Sequence, residues 1–239
     1  MEGQLNRIAG VDGCRAGWMT IWRETPDGAF RFHVFATLVE LELALPDLVA
    51  LAIDMPIGLP DRIDGAGRAP EKAVRPLLGQ RQSSVFSIPA RAAVEAEDYG
   101  EACRRAFAAS DPPRKVAKQG FNLFPKIREL DRFLRARPAM VDRVVETHPE
   151  LVFRRIRGEP LAHPKKLPGG RAERLGLLAQ AGLPSALLAA SPPPGAGADD
   201  LLDAMACWLT AERHARGEAV PHPAQPLRDR YGLPIAIWA

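Results

Sequence analysis

The chain opens with short apolar runs separated by turn residues and only then shifts to helical spacing. Residues 5–11 (LNRIAGV), 18–22 (WMTIW) and 30–35 (FRFHVF) read as three strands, divided at Asp12-Gly13 and at Pro26-Asp27-Gly28. Residues 37–45 place leucines at 38, 41 and 45, the spacing of one helix face, with Thr37 as the cap. The run LVALAI at 48–53 then predicts a strand buried on both faces. Three strands joined by tight turns make an antiparallel meander, and a helical crossover returns the fourth parallel to the first. Both parallel strands end in an aspartate, Asp12 and Asp54, on one edge of the sheet.

Residues 55–67 are rich in Pro and Gly, 71–78 has helical spacing, and 79–91 (GQRQSSVFSIPAR) is a polar loop. Helices are predicted at 99–109 and 125–136 and a fifth strand at 144–147 (VVET). A short helix, a basic loop around His163-Pro164-Lys165-Lys166 and a helix at 171–181 come next. The segment 191–197 (SPPPGAG) has the composition of a linker, but the helix predicted at 199–216 argues against a domain boundary there. Its apolar stripe of Leu201, Leu202, Met205, Trp208 and Leu209 needs a surface, and the sheet offers one. The expectation is one domain over 1–239, with a helical and loop insertion at roughly 55–140 after the fourth strand and PIAIWA at the end as a short edge strand.

Composition adds exclusions. At 46% hydrophobic and 26% charged residues the chain is ordinary globular protein, not a disordered tail. No apolar run approaches the roughly 18 residues of a membrane span, and MEGQLNRIAG lacks the apolar core of a secretory signal, so a cytoplasmic protein is expected. Cys14, Cys103 and Cys207 are odd in number and form no C-x-x-C pair, which disfavours a disulfide framework or a zinc site. Net charge is only +3 but uneven: residues 112–137 carry eight Lys/Arg against two Asp/Glu, and 154–174 seven against two. That asymmetry suits a protein holding an anionic polymer near a group of carboxylates, and it also suits two solvated helix faces.

Five acids carry the candidate chemistry: Asp12, Asp54, Glu146, Asp200 and Asp203. Strand ends are where open α/β sheets place their sites. Asp200 and Asp203, three apart near a helix start, project together into a favourable dipole field. Converging carboxylates repel unless a cation lies between them, and oxygen-only ligation by Asp12, Asp54, Asp200 and Asp203 selects Mg²⁺ or Mn²⁺. Such ions can activate water against a phosphodiester. Each acid also has a plainer role: Asp12-Gly13 as a turn, Asp54 as a strand terminator, Asp199 or Asp200 as an N-cap, Glu146 as partner to an arginine.

The stretches GVDGCRAGW (10–18), AIDMPIGLP (52–60), LLGQRQSSVFSIPAR (77–91), VVETHPELVFRRIRGEPL (144–161) and DDLLDAMACWLTA (199–211) resemble the domain of unknown function family 429. Members of that family are predicted nucleases of the RNase H-like superfamily. The resemblance runs over roughly residues 8 to 238 and implies a mixed five-stranded α/β sheet of order 3-2-1-4-5 flanked by helices. It implies Asp12 as the first-strand acid, Asp54 as the fourth-strand acid, and Asp200 or Asp203 as the acid from the last helix.

Arg81, Ser83, Ser84 and Arg91 are candidate phosphate ligands through guanidinium and hydroxyl donors, or they order a long loop. Lys126, Lys165, Lys166 and Arg171 are candidate backbone contacts or ordinary surface charge, and His148 is a candidate base or a turn residue before proline. No G-x-S-x-G surrounds Ser83 or Ser84, which argues against a serine hydrolase. The leading expectation is a metal-dependent nuclease or phosphodiesterase whose partner is DNA, RNA or a small phosphoester. A non-catalytic nucleic-acid or nucleotide-binding protein, or an actin-like ATPase, is the alternative, although the chain has no repeat to supply that ATPase's second lobe.

Overall fold

A computed structural model describes residues 6–24, 28–165 and 167–239. The meander forms as expected: β1 (Arg7–Cys14), β2 (Gly17–Glu24) and β3 (Phe30–Phe35) pair antiparallel. Leu5 and the Pro26-Asp27 part of the predicted turn lie outside the described residues. Helix α1 (Leu38–Ala44) starts at Thr37, whose side chain accepts from the Glu40 amide, and leads into β4 (Leu48–Asp54), parallel to β1.

One boundary differs in a way that bears on function. Asp12-Gly13 is not a turn; β1 continues through it to Cys14 and the chain reverses at Arg15-Ala16. Asp12 is therefore a strand residue, in register with Asp54 on β4.

Residues 55–143 insert between β4 and the next strand of the main sheet. They contain a two-residue pairing of β5 (Ile63–Asp64) with β6 (Ser110–Asp111), then α2 (Ala69–Val74) followed by 3₁₀ turns over Arg75–Ser84, α3 (Arg91–Val94), α4 (Tyr99–Ala108), α5 (Lys118–Phe121) and α6 (Phe124–Arg135). The predicted helix at 71–78 stops at Val74 as α-helix, and Gly79, with φ +52°, kinks the 3₁₀ segment. β7 (Val144–Thr147), α7 (Pro149–Arg157), α8 (Pro168–Gln180), α9 (Ser185–Leu188) and α10 (Ala198–Ala215) follow, and β8 (Pro221–Arg228) and β9 (Pro234–Trp238) close the chain.

The main sheet is thus seven-stranded, not five-stranded, with order β3-β2-β1-β4-β7-β9-β8. Its first five positions keep the expected order, with β7 as the fifth strand. PIAIWA is not an edge: β9 lies between β7 and β8, parallel to the first and antiparallel to the second. The edge is β8, where Pro221, Pro223 and Pro226 supply no amide to the ladder, a loss an edge strand tolerates. Those prolines also hide the strand from a reading of β propensity.

Side-chain alternation sorts the sheet into two faces. Ala9, Val11 and Ile53 pack on one side with α1 and α6, through Leu38, Leu41, Phe124 and Ile127. On the other side Ile8, Ala50, Ala52 and Val145 meet α7, α8 and α10. Helix α10 is more deeply enclosed than a one-face stripe predicts. Every residue from Leu201 to Ala211 is buried, because α7 and α8 cover the surface that the sheet does not.

The close approach is made at Gly10. A Cβ there would lie 2.1 Å from the Trp208 backbone nitrogen and 2.3 Å from the Ala204 carbonyl oxygen, so the helix rests on bare strand backbone. The Trp208 indole donates to the Ile8 carbonyl at 3.2 Å and packs edge-on against Phe30. Gly10→Ala must push α10 off β1, and we expect a loss of about 3 kcal/mol or more in urea unfolding. Gly176→Ala, inside α8 with open space around its Cα, should instead gain roughly 0.5–1 kcal/mol. Equal effects at the two sites would contradict this packing.

Candidate functional site

Period-two alternation decides which acids meet. Gly10 and Asp12 on β1, like Ala50, Ala52 and Asp54 on β4, belong to the face that α10 covers. The small residues let the helix in, and the aspartates terminate the same rows at the C-terminal edge. From α10, Asp203 completes the group: Asp12 is subject to the charges of Asp54 and Asp203, and Asp203 to that of Asp54. Asp12 and Asp203 are buried, Asp54 nearly so.

Asp200 takes a different part. Its carboxylate accepts from the Gly197 amide at 2.7 Å and closes the first turn of α10, although its charge still reaches Asp12. Of the D-x-x-D pair, the inward acid is Asp203.

Glu146 does not join them. It pairs in register with Ile53, so its side chain leaves β7 on the face opposite to Asp54. There the fully buried Arg68 holds both carboxylate oxygens, at 2.6 and 3.1 Å, and the Ile57 amide adds a bond of 2.7 Å. Arg68 also bonds Glu71 and the carbonyls of Ile57 and Gly58, clamping the loop after β4 onto β7. With its oxygens so occupied, Glu146 serves as an arginine partner.

Glu150, which the sequence reading passed over, lies on the α10 side. It is buried in the first turn of α7, and one carboxylate oxygen accepts from Arg174 of α8 at 2.5 and 3.1 Å. Its other oxygen is buried without a hydrogen-bond partner, and its charge raises the pKa of Asp54 and Asp203. The signal was present in Glu146-Thr147-His148-Pro149-Glu150, where a strand end runs into a helix start and places acids on both faces.

Lys165 supplies the compensating charge. Its ammonium bonds the Asp203 carboxylate, lies 3.9 Å from Asp199, and also acts on Asp12 and Asp54. It therefore faces into the acid group rather than outward to a phosphate backbone, contrary to the sequence-based expectation. Lys166 lies outside the described residues, and Arg171 is exposed on α8. Even with Lys165 present, burial raises Asp54 and Asp203 to about 7, with Glu150 adding to both, and raises Asp12 well above the usual range. Burial, reinforced by these acids, keeps the neighbouring Cys207 thiol protonated.

A cavity of about 240 Å³ opens at this edge, lined by Asp12, Asp54, Ser84, Lys126, Glu146 and His148 among others. Lys126 reaches over Gly13, donates to the Gly17 carbonyl at 2.5 Å and lies 4.3 Å above the Trp18 ring. Burial lowers its pKa. Burial likewise lowers that of His148, whose Nε2 is 3.3 Å from the Ser84 carbonyl and whose Nδ1 is buried without a partner. Ser84 donates its hydroxyl to the Arg81 carbonyl; Ser83 lies in a neighbouring, larger cavity. Arg91 is not a phosphate ligand. It is buried and bonded to both oxygens of Asp131 at 2.8 Å and to Asp229 at 2.6 Å, tying the insertion to the C-terminal segment.

The donors of Asp12, Asp54 and Asp203 are oxygen only, a set suited to Mg²⁺ or Mn²⁺. Among the described residues no three or more Asp, Glu, His or Cys side chains are arranged to hold a metal as they stand. Asp203 is turned to Lys165 instead.

Fold and site together define an α/β protein with a buried aspartate group at the C-terminal edge of a mixed sheet. The chain belongs to the family described as "Protein of unknown function (DUF429)", whose sequence profile matches residues 10–228. No curated protein and no solved structure matches it. Among the described residues no helix is long and apolar enough to cross a membrane.

Two outcomes follow from this geometry. Asp54 and Asp203 bind protons more tightly folded, at about 7, than unfolded, near 3.8, so metal-free stability should fall as pH rises from 5 to 8. Asp54→Asn should flatten that slope in pH-resolved thermal melts. Glu146→Ala leaves the buried Arg68 with Glu71 as its one remaining carboxylate partner and should cost about 2–5 kcal/mol in urea unfolding, whereas a loss under 1 kcal/mol would refute its structural role.

Proposed function

We propose that this protein is a metal-dependent phosphodiesterase of the RNase H-like type that cleaves nucleic acid. The observation that carries the reading is the meeting of Asp12 and Asp54, in register on parallel neighbouring strands, with Asp203 from the covering helix. The order β3-β2-β1-β4-β7 is the arrangement that an RNase H-like sheet has, and β9 and β8 extend it.

Asp12, Asp54 and Asp203 would hold Mg²⁺ or Mn²⁺, which, when bound, activates water and stabilises the leaving oxygen of a phosphodiester. The chain's own groups do the rest. Lys165 balances the acids in the metal-free protein, and Arg174 fixes Glu150 so that its free oxygen stays beside Asp54 and Asp203. His148, neutral through burial and on the wall of the acid cavity, is the candidate proton acceptor.

A second reading is a non-catalytic nucleic-acid or nucleotide-binding protein, and one observation favours it: Asp203 is already satisfied by Lys165. Two measurements separate the readings. Millimolar Mn²⁺ should raise the melting temperature by several degrees, consistent with about 2.7 kcal/mol at a hundredfold excess over Kd, and Asp54→Asn should abolish most of that rise. Lys165→Ala should melt lower than wild type without metal, because it leaves the acids uncompensated, and gain more from Mn²⁺. In a Mn²⁺ cleavage assay on single- and double-stranded oligonucleotides, Asp12→Asn should abolish turnover and leave binding intact. Absence of both cleavage and a Mn²⁺ shift in wild type favours the binding protein.

A further inference from the structure

A second cavity, of about 630 Å³, adjoins the acid cavity and shares Val85, Phe86 and Ile88 with it as a common wall. The two differ in charge. Asp12, Asp54, Glu71 and Glu146 line the first against Arg68 and Lys126, whereas Arg75, Arg114 and Lys115 line the second, which has no carboxylate on its wall. Arg75 is committed to the Val85 carbonyl and the Ser87 hydroxyl, and it shapes the floor. Arg114 and Lys115 are exposed and, among the described residues, form no ion pair. On the shared wall, Phe86 is 37% exposed, an uncovered aromatic face between an acidic and a basic chamber.

From this juxtaposition we infer that the second cavity is a binding site for one unpaired nucleotide, its base against Phe86 and its phosphate on Arg114 and Lys115. The volume lies in the range of small-ligand sites and is too small to enclose a duplex. Aromatic stacking combined with free cations is how proteins hold unpaired bases without reading sequence. Guanidinium and ammonium donors in an acid-free chamber select the phosphate end. As the deeper form of the nuclease reading, on which it rests, the site makes the substrate a single strand, whose next phosphate lies across the Phe86 wall toward Asp12 and Asp54.

Binding is tested apart from cleavage by fluorescence anisotropy in EDTA, using a labelled single-stranded octamer, a blunt duplex and 5′-AMP as competitor. The octamer should bind at least tenfold tighter than the duplex, and 5′-AMP should compete. Phe86→Ala should weaken the octamer about tenfold without altering its salt dependence. Arg114→Ala with Lys115→Ala should weaken it and lower the salt slope by roughly 0.7 per lost phosphate contact. All three side chains reach the surface, and thermal melts check that each variant folds. Binding of 5′-AMP in calorimetry, without octamer binding, supports the site with a free nucleotide as its ligand. Preference for the duplex, no binding by wild type, or no effect of either variant overturns it, and an effect of the cations without Phe86 reduces it to an anion site. Intact octamer binding without Mn²⁺ cleavage removes the nuclease reading and leaves this site standing.

Discussion

A helix lying on bare strand backbone is the contact on which the rest depends. Only glycine at position 10 lets the α10 backbone come so near β1, and Ala50 and Ala52 on β4 keep the adjoining row low. The same approach that buries Trp208 and Leu209 also carries Asp203 to the ends of the rows occupied by Asp12 and Asp54. Burying three carboxylates together costs free energy, and the fold accepts that cost with one lysine as compensation.

Elsewhere the buried charges are matched. Arg68, Arg91 and Arg174 are among the largest fully buried side chains, and each joins parts of the chain that are distant in sequence. Arg68 clamps the loop after β4 to β7, Arg91 ties the insertion to the segment between β8 and β9, and Arg174 holds α8 to the first turn of α7. Bidentate guanidinium pairs are directional, and breaking one leaves a charge without water, so they fix register as well as packing. Arg91, a candidate phosphate ligand in the sequence, is with Arg68 and Arg174 part of this internal architecture. The contrast makes Arg114 and Lys115 conspicuous: they are exposed and, among the described residues, form no such pair.

The sequence was most legible where local pattern and tertiary environment agree. β3 and β7 fall on the expected residues, the Thr37 cap forms, and the parallel relation of β1 to β4 follows from the lengths of their connections. It misled where tertiary context overrides local signal. Asp12-Gly13 has turn chemistry but is drawn into the ladder by Met19 and Trp18 opposite. Three prolines conceal β8, and with it the interior position of β9. Among the acids, helix spacing puts Asp200 and Asp203 on one face, but only the structure separates the capping Asp200 from the inward Asp203, and only the face of β7 shows that Glu146 points away from Asp54. Face assignment needs register, and one sequence does not contain it.

Under the proposed reading, the Asp12, Asp54 and Asp203 group would hold a divalent cation in whose place Lys165 stands. A crystal structure of the protein soaked in Mn²⁺, with anomalous data collected for that ion, tests this most directly. The expected result is an anomalous peak bonded to Asp12, Asp54 and Asp203, with the Lys165 ammonium withdrawn from Asp203. An empty site at millimolar Mn²⁺, with Lys165 still on Asp203, would contradict it.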